Sequence, residues 1–273
     1  MKKVLSIAGS DPSGGAGIQA DLKTMEAHGV YGMSVITALT AQNTLGVTGK
    51  FAVPYEFVSK QLQAVFDDIF PDAVKIGMLP DIEVMQAVRD ALLEYKPRNI
   101  VLDPVLSSTS GTSLSADNAR QFLTEKIFPL CKLITPNIPE AEILTGFSIN
   151  SKEDVERAAK ALKDKCGCSV LIKGGHSEFS GEKCEDCLLI AKDTDEAFVW
   201  FSSGKIDNPN THGTGCTLSS AIACNLAQGF SLKESVKLSK DYLTKCIESG
   251  LDIGKGRGPL EHRVSAGEAD KTE

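Results

Sequence analysis

No stretch of this sequence approaches the roughly 20 consecutive apolar residues of a membrane-spanning helix, so no membrane is expected as a partner. Basic residues are in deficit: 29 Lys and Arg face 36 Asp and Glu, for a formal net charge of −7 and a pI near 5.3. Nucleic acid and acidic membrane surfaces both call for a basic face. Neither is therefore expected, and any phosphate must be held locally. The string G-x-x-x-x-G-K followed by Ser or Thr is missing, which excludes P-loop chemistry. No shift in composition marks a linker, so the chain reads as one domain over residues 1–264, with a polar tail, 265–273, expected to fray. Met1-Lys2-Lys3 and the apolar VLSIAG imitate a signal peptide, but the run is short, and Asp11 and Pro12 stand where small residues should. A cytoplasmic chain with its eight cysteines reduced is the expectation.

What is present is a globular composition, 42% hydrophobic and 24% charged, in which strand and helix patterns alternate. Strands are expected at Val4–Ala8, Tyr31–Leu39, Ala73–Ile76, Asn99–Leu102, Leu133–Thr135 and Ser169–Lys173. Helices are expected at Ile18–His28, Phe57–Phe70, Ile82–Tyr95, Ala116–Pro129, near Ala141, and at Glu153–Lys165. The rhythm breaks at Leu188–Ala191 and Ala197–Phe201, a hairpin-like pair around Lys192-Asp193-Thr194-Asp195, and two helices finish the fold. Such alternation implies an α/β architecture, a mostly parallel sheet with helices on both faces.

Ligands of open α/β sheets sit beyond the carboxyl ends of the strands. Those ends are followed here by Gly9-Ser10-Asp11, Thr40-Ala41-Gln42-Asn43, Gly77-Met78, Asp103-Pro104, Thr135-Pro136-Asn137 and Lys173-Gly174-Gly175-His176. Carboxylates, amides and an ammonium thus converge on one crevice, the candidate active site. Asn210 to Gly229 adds a Gly213-Thr214-Gly215-Cys216 turn before a helical apolar pattern. A helix N-terminus there offers unpaired N–H groups and positive dipole to an anion; the alternative is an ordinary turn with a threonine cap. Asn137-Ile138-Pro139-Glu140 matches a capping box, and at a crevice strand end the same side chains could hold the water shell of Mg²⁺. Lys173 is either a snorkelling lysine or a phosphate counter-charge. The glycine cluster Ser13 to Gly17 contains Gly15-x-Gly17-x-x-Ala20, formally a dinucleotide fingerprint. It lies too far beyond the strand, and no acidic residue closes the next one, so a flexible backbone lining a small-ligand pocket is expected instead. Cys166, Cys168, Cys184 and Cys187 could be read as a zinc site. The uncommon C-x-C half and the strand at Val170–Ile172 favour separate thiols.

The strings AGSDPSGGAGIQADLKT, ALTAQNT, KIGML, VLDPV, ITPNIPEAE, IKGGH and NTHGTGCTLS closely resemble the hydroxymethylpyrimidine and phosphomethylpyrimidine kinases of thiamine biosynthesis, from about Val4 to His262. The resemblance implies a ribokinase-like three-layer sandwich and a kinase using ATP and Mg²⁺. Its substrates would be 4-amino-5-hydroxymethyl-2-methylpyrimidine and then the monophosphate. It places Gln42 on the pyrimidine, where a carboxamide can accept from the 4-amino group and donate to the adjacent ring nitrogen. By the same resemblance Asp21, Met78 and Gly9 line that pocket. Asp103, Asn137 and Glu140 fall on the magnesium and phosphate motifs, Lys173 and Thr211 on the nucleotide side, and Gly213, Thr214 and Gly215 on the anion hole. A homodimer is implied as well.

Cys216 stands where sugar kinases of this superfamily commonly carry an aspartate base, and a helix N-terminus can lower a thiol's pKa. Its alternative is a small buried hydrophobe in the first turn. The chain departs from the family's Gly-His-Gly-x-Gly-Pro ending, having Gly254-Lys255-Gly256-Arg257-Gly258-Pro259. Pyridoxal kinase activity and a non-catalytic pyrimidine-binding module remain alternatives, and Ser107 to Ser113 is the expected lid.

Overall fold

Successive residues of the strands enter different cores, because side chains alternate across a sheet. Leu5 and Ile7 of β1 (Lys3–Ser10) pack with one cluster and Val4 with another; Ile100 and Leu102 of β5 (Ile100–Leu102) join the first and Val101 the second. In this computed structural model, residues 1–106, 116–175, 181–191, 197–249 and 251–266 are described. The expected lid, the loop at 192–195 and His176 fall outside them.

Among the described residues, nine strands form one sheet in the order β3-β2-β1-β4-β5-β6-β7-β8-β9. The remaining strands are β2 (Tyr31–Asn43), β3 (Gly46–Ala52), β4 (Ala73–Ile76), β6 (Leu133–Ile134), β7 (Ser169–Lys173), β8 (Lys183–Leu189) and β9 (Phe198–Gly204). From β2 to β7 every neighbouring pair is parallel, while β3, β8 and β9 are added antiparallel. One face is covered by α2 (Tyr55–Asp68), α3 (Ile82–Tyr95), α5 (Ile138–Thr145) and α6 (Lys152–Cys166), through residues such as Leu62, Val88, Leu144 and Leu162. The other is covered by α1 (Gly17–Ala27), α7 (Thr214–Gln228) and α8 (Leu232–Ser249), through Met25, Ile222 and Val236. This is the expected three-layer sandwich, and its parallel strands all deliver their carboxyl ends to one edge.

The differences from the expected elements have local causes. The edge strand β3 is exposed along nearly its whole length, so its residues carry no alternation of polar and apolar types. The helix expected over Ala116–Pro129 is α4 (Ala116–Phe122), then a π turn (Leu123–Ile127) and a 3₁₀ turn (Phe128–Leu130). Pro129 has no N–H to continue the α ladder, and the loosened turn lets Phe128 become fully buried. The hairpin pair exists as β8 and β9, each extending further from the loop than expected. Ala266 still packs beside Tyr242, Cys246 and Leu260, so the folded region runs past residue 264.

Between the sheet and the α1/α7 layer lies an ion pair with no solvent exposure. Lys75 of β4 sets its Nζ 2.8 and 2.7 Å from the two carboxylate oxygens of Asp21 on α1. Ser6 of β1 donates to the same carboxylate at 2.6 Å and Ser220 of α7 at 2.8 Å. Burial alone would push the Lys75 ammonium down, but Asp21 outweighs it and holds the pKa above its ordinary value. Two sheet strands and both helices are thereby tied at one point. Removing one partner of a buried pair strands the other charge. Asp21→Asn is therefore expected to lower stability by about 3–5 kcal/mol in urea unfolding; the double replacement Asp21→Leu with Lys75→Met should lose clearly less.

Candidate active site

Helix α7 begins without a side-chain cap: its N-cap is Gly213, at φ 90°. The threonine-capped alternative is thus not what the chain adopts, and the turn leaves its first N–H groups to other partners. Gly213 is required by space as well as by φ, since a Cβ there would stand 1.9 Å from Gly15 O. Two residues on, a Cβ at Gly215 would lie 2.8 Å from Asp103 Oδ2 and 3.4 Å from Lys173 Nζ. The helix terminus is thus pressed against the charged ends of β5 and β7. Thr211 supplies the carbonyl that accepts from Thr214 N at 3.4 Å and so shapes the entry to α7.

Asp103 accepts from Lys173 Nζ at 2.5 Å and from Thr135 Oγ1 at 3.0 Å. Burial works against the Lys173 ammonium, yet Asp103 and Glu140 hold its pKa above the ordinary value. Asn137 and Glu140 do form the capping box of α5, each accepting from the other's backbone N–H at 2.8 Å. Glu140 is nevertheless buried, and burial, opposed by Lys173 and reinforced by Asp103, raises its carboxyl to about 7. A cap on a surface helix would show no such shift. Oxygen donors of two carboxylates and an amide suit a hard cation that keeps much of its water. Among the described residues, no three His, Cys, Asp or Glu side chains could hold a metal by themselves.

At the other end of the crevice, Gly9 and Met78 meet: a Cβ on Gly9 would stand 2.4 Å from Met78 Cε. Gln42, at the end of β2, reaches His212, its side-chain nitrogen lying 3.1 Å from His212 Nε2. The structure does not bring Asp21 to this pocket. Its carboxylate is sealed beneath the sheet by Lys75, Ser6 and Ser220, because position 21 falls on the face of α1 that packs inward. Cys216 corrects a second expectation. Burial raises its thiol, with Asp21 and Asp103 adding to the rise, and Lys75 and the Gly17 N–H only partly offset this. Its side chain remains half-buried rather than sealed.

Sequence reasoning gave no role to Lys75 or His212 and placed Asp11 only among the strand-end residues of the crevice. Lys75 left a signal, a lone lysine inside the apolar run AVKI. The unfamiliar C-terminal segment is also placed. Lys255 and Gly256 donate backbone N–H bonds to Thr44 Oγ1 at 3.2 and 3.1 Å, and Gly258 N donates to Asn210 Oδ1 at 2.9 Å. It straps the loop after Gln42 to the loop entering α7. Of the four cysteines weighed as a zinc site, Cys166 and Cys168 adjoin each other and Cys131, while Cys184 Sγ donates to Gly175 O at 3.7 Å.

A sequence model of the family described as phosphomethylpyrimidine kinase matches residues 11–261. The hydroxymethylpyrimidine/phosphomethylpyrimidine kinase of Haemophilus influenzae is 46% identical over 263 residues, 96% of this chain and 97% of that one. Among solved structures, the phosphomethylpyrimidine kinase of Clostridium difficile superposes with a TM-score of 0.78 at 44% identity, covering 90% of this chain and 100% of that one. The pyridoxal kinase of Staphylococcus aureus, in complex with AMP-PCP and pyridoxal, gives a TM-score of 0.86 at 32% identity over 96% and 94%. With its ribokinase-like sandwich and its crevice at the parallel strand ends, the chain belongs to the phosphomethylpyrimidine kinase family.

Proposed function

We propose that this chain transfers the γ-phosphoryl group of ATP to the hydroxyl of 4-amino-5-hydroxymethyl-2-methylpyrimidine and then to the monophosphate, forming the diphosphate for thiamine biosynthesis. The observation that carries this reading is the contact of an uncapped helix N-terminus with the Asp103–Lys173 pair at Gly215. Phosphoryl transfer is catalysed chiefly by positioning and by stabilising charge, and this arrangement supplies both. Gly213, Thr214 and Gly215 offer backbone N–H groups to the transferring group. Lys173 exchanges Asp103 for the nucleotide phosphates, and Thr211 borders the same side. Asp103, Asn137 and Glu140 would hold the water shell of Mg²⁺, which when bound would neutralise phosphate charge. Gln42 pairs with the pyrimidine, and Gly9 and Met78 border its ring.

In the first step the hydroxyl oxygen bonds to the γ-phosphorus, the bond to the ADP oxygen breaks, and the hydroxyl proton passes to the Cys216 thiolate. In the second step the nucleophile is a phosphate already anionic, with a second pKa of about 6, and needs no such base. The enzyme works as a cytoplasmic homodimer. Exposed Leu39, Val47 and Phe51 on the β2–β3 edge support this, since an open strand edge bearing apolar side chains is a pairing surface. A pyridoxal kinase activity is the second reading, favoured by the pyridoxal complex of the Staphylococcus aureus neighbour.

A coupled assay for ADP release with hydroxymethylpyrimidine, its monophosphate and pyridoxal separates the readings. Turnover of both pyrimidines, lost when Mg²⁺ is chelated, is expected; tight pyrimidine binding with no ADP formed would mean a binding module. Cys216→Ala should slow the first phosphorylation more than the second. Because burial raises the thiol, the wild-type first step should also climb with pH beyond the ordinary thiol value of about 8.5, and this limb should vanish in Cys216→Ala. Equal losses in both steps, or a limb that survives, would remove Cys216 as the base.

A further inference from the structure

His212 Nε2 touches two partners at once. Asp11 Oδ2 lies 2.8 Å away, and the atom placed as the Gln42 side-chain nitrogen 3.1 Å. One ring nitrogen cannot donate to the first while accepting from the second. Burial works to raise the Asp11 carboxyl, but bonds from His212 and Ser13 outweigh it and bring it down to about 2. A carboxylate only accepts, so the hydrogen sits on Nε2 and points to Asp11. An amide NH₂ beside that N–H would set donor against donor.

The oxygen and nitrogen of a carboxamide are assigned from their partners, not from shape. Turned by half a rotation, Gln42 offers its oxygen as a second acceptor for the Nε2–H that Asp11 already takes, a shared hydrogen, and its nitrogen to Thr40 Oγ1, 3.3 Å away. Thr40 already gives its hydroxyl hydrogen to Ser10 O at 3.0 Å, which leaves lone pairs to accept from that nitrogen. Every group then meets a complementary one.

The pair behind Gln42 is itself held fast. Asp11 Oδ1 accepts from Ser13 N at 2.9 Å and Ser13 Oγ at 2.7 Å, and its Oδ2 from Ala16 N at 2.9 Å. The imidazole lies so close to Gly15 that a Cβ there would stand 2.5 Å from His212 Cδ2. The glycine cluster after β1 is thus a cradle for this ring.

We propose that Asp11 and His212 are positioning residues that fix the order of oxygen and nitrogen in the Gln42 carboxamide and so select a ligand edge with an amino donor beside a ring-nitrogen acceptor. The proposal rests on the pyrimidine reading above. A pyridoxal ring has no amino group beside its ring nitrogen, so the fixed order favours the pyrimidine over it.

Steady-state kinetics of three variants test this. His212→Leu is expected to raise KM for hydroxymethylpyrimidine roughly ten- to a hundredfold, with kcat falling less and KM for ATP unmoved. His212→Gln, which returns a donor at similar reach, should recover most of the loss, a rescue that a packing role would not produce. Asp11→Asn, nearly isosteric, should show the same KM shift and carries the test if His212→Leu does not fold. An unchanged pyrimidine KM in the folded variants, or a KM for ATP that rises in step, overturns the proposal. Wild-type protein unable to phosphorylate the pyrimidine would remove the functional reading and the proposal with it; active wild type with unshifted variants removes the proposal alone.

Discussion

The crevice depends on how closely the start of α7 approaches other parts of the chain. A helix dipole acts mainly within its first turn, so N–H groups held even one side chain further from Asp103 and Lys173 would lose much of their effect. Gly213 against Gly15 O and Gly215 against the ion pair remove that distance. A third close approach completes the set: a Cβ on Gly17 would stand 2.3 Å from Gly9 O, which seats the start of α1 on the end of β1. That helix carries Asp21, Asp21 holds Lys75, and Lys75 is the main group opposing the rise of the Cys216 thiol. Backbone contact therefore sets side-chain electrostatics.

An acidic chain of an ATP-using kinase family must keep its cations both available and stable, and burial separates these duties. The Asp21–Lys75 side chains have no exposure, whereas Lys173 and Asp103 keep 15% and 6%. A sealed pair cannot be exchanged for a ligand without leaving a buried charge uncompensated. A pair at the crevice wall can, where an incoming anion takes the place of the carboxylate. Asp186 extends the scheme by structure alone: it accepts from Gly174 N at 2.9 Å and pairs with Lys240 of α8, fixing the backbone just past Lys173.

Much of this was legible in the residues. Ala73–Ile76, Ile82–Tyr95 and Ser169–Lys173 fall where periodicity places them, because their burial is one-sided or complete and leaves a clear pattern. Strand-end residues were also legible, since a parallel sheet sends them all to one edge. What failed was whatever depends on three-dimensional neighbours. β3 buries almost nothing and so has no period. Asp21 reads as a polar helix residue whether it faces a ligand or a buried lysine. The direction of the Cys216 shift follows from how tightly it is enclosed, and the helix terminus that suggested a lowered thiol is only one contributor. The glycines of the C-terminal strap have a purpose only once Thr44 and Asn210 are beside them: a Cβ on Gly256 would stand 2.1 Å from Thr44 O.

The likeness to a pyridoxal kinase at a TM-score of 0.86 but only 32% identity has a physical reading in these terms. The groups that the proposed function aims at the transferring phosphate are largely backbone, set by glycines and by the sheet, and backbone N–H groups do not distinguish one alcohol from another. Groups at the Gln42 end are side chains whose orientation depends on one another. A backbone site changes only if the fold changes, while a hydrogen-bonded side-chain site changes its ligand when a single donor becomes an acceptor. On the proposed function, specificity in this sandwich is concentrated at the β1 and β2 strand ends, a short distance from chemistry that stays the same.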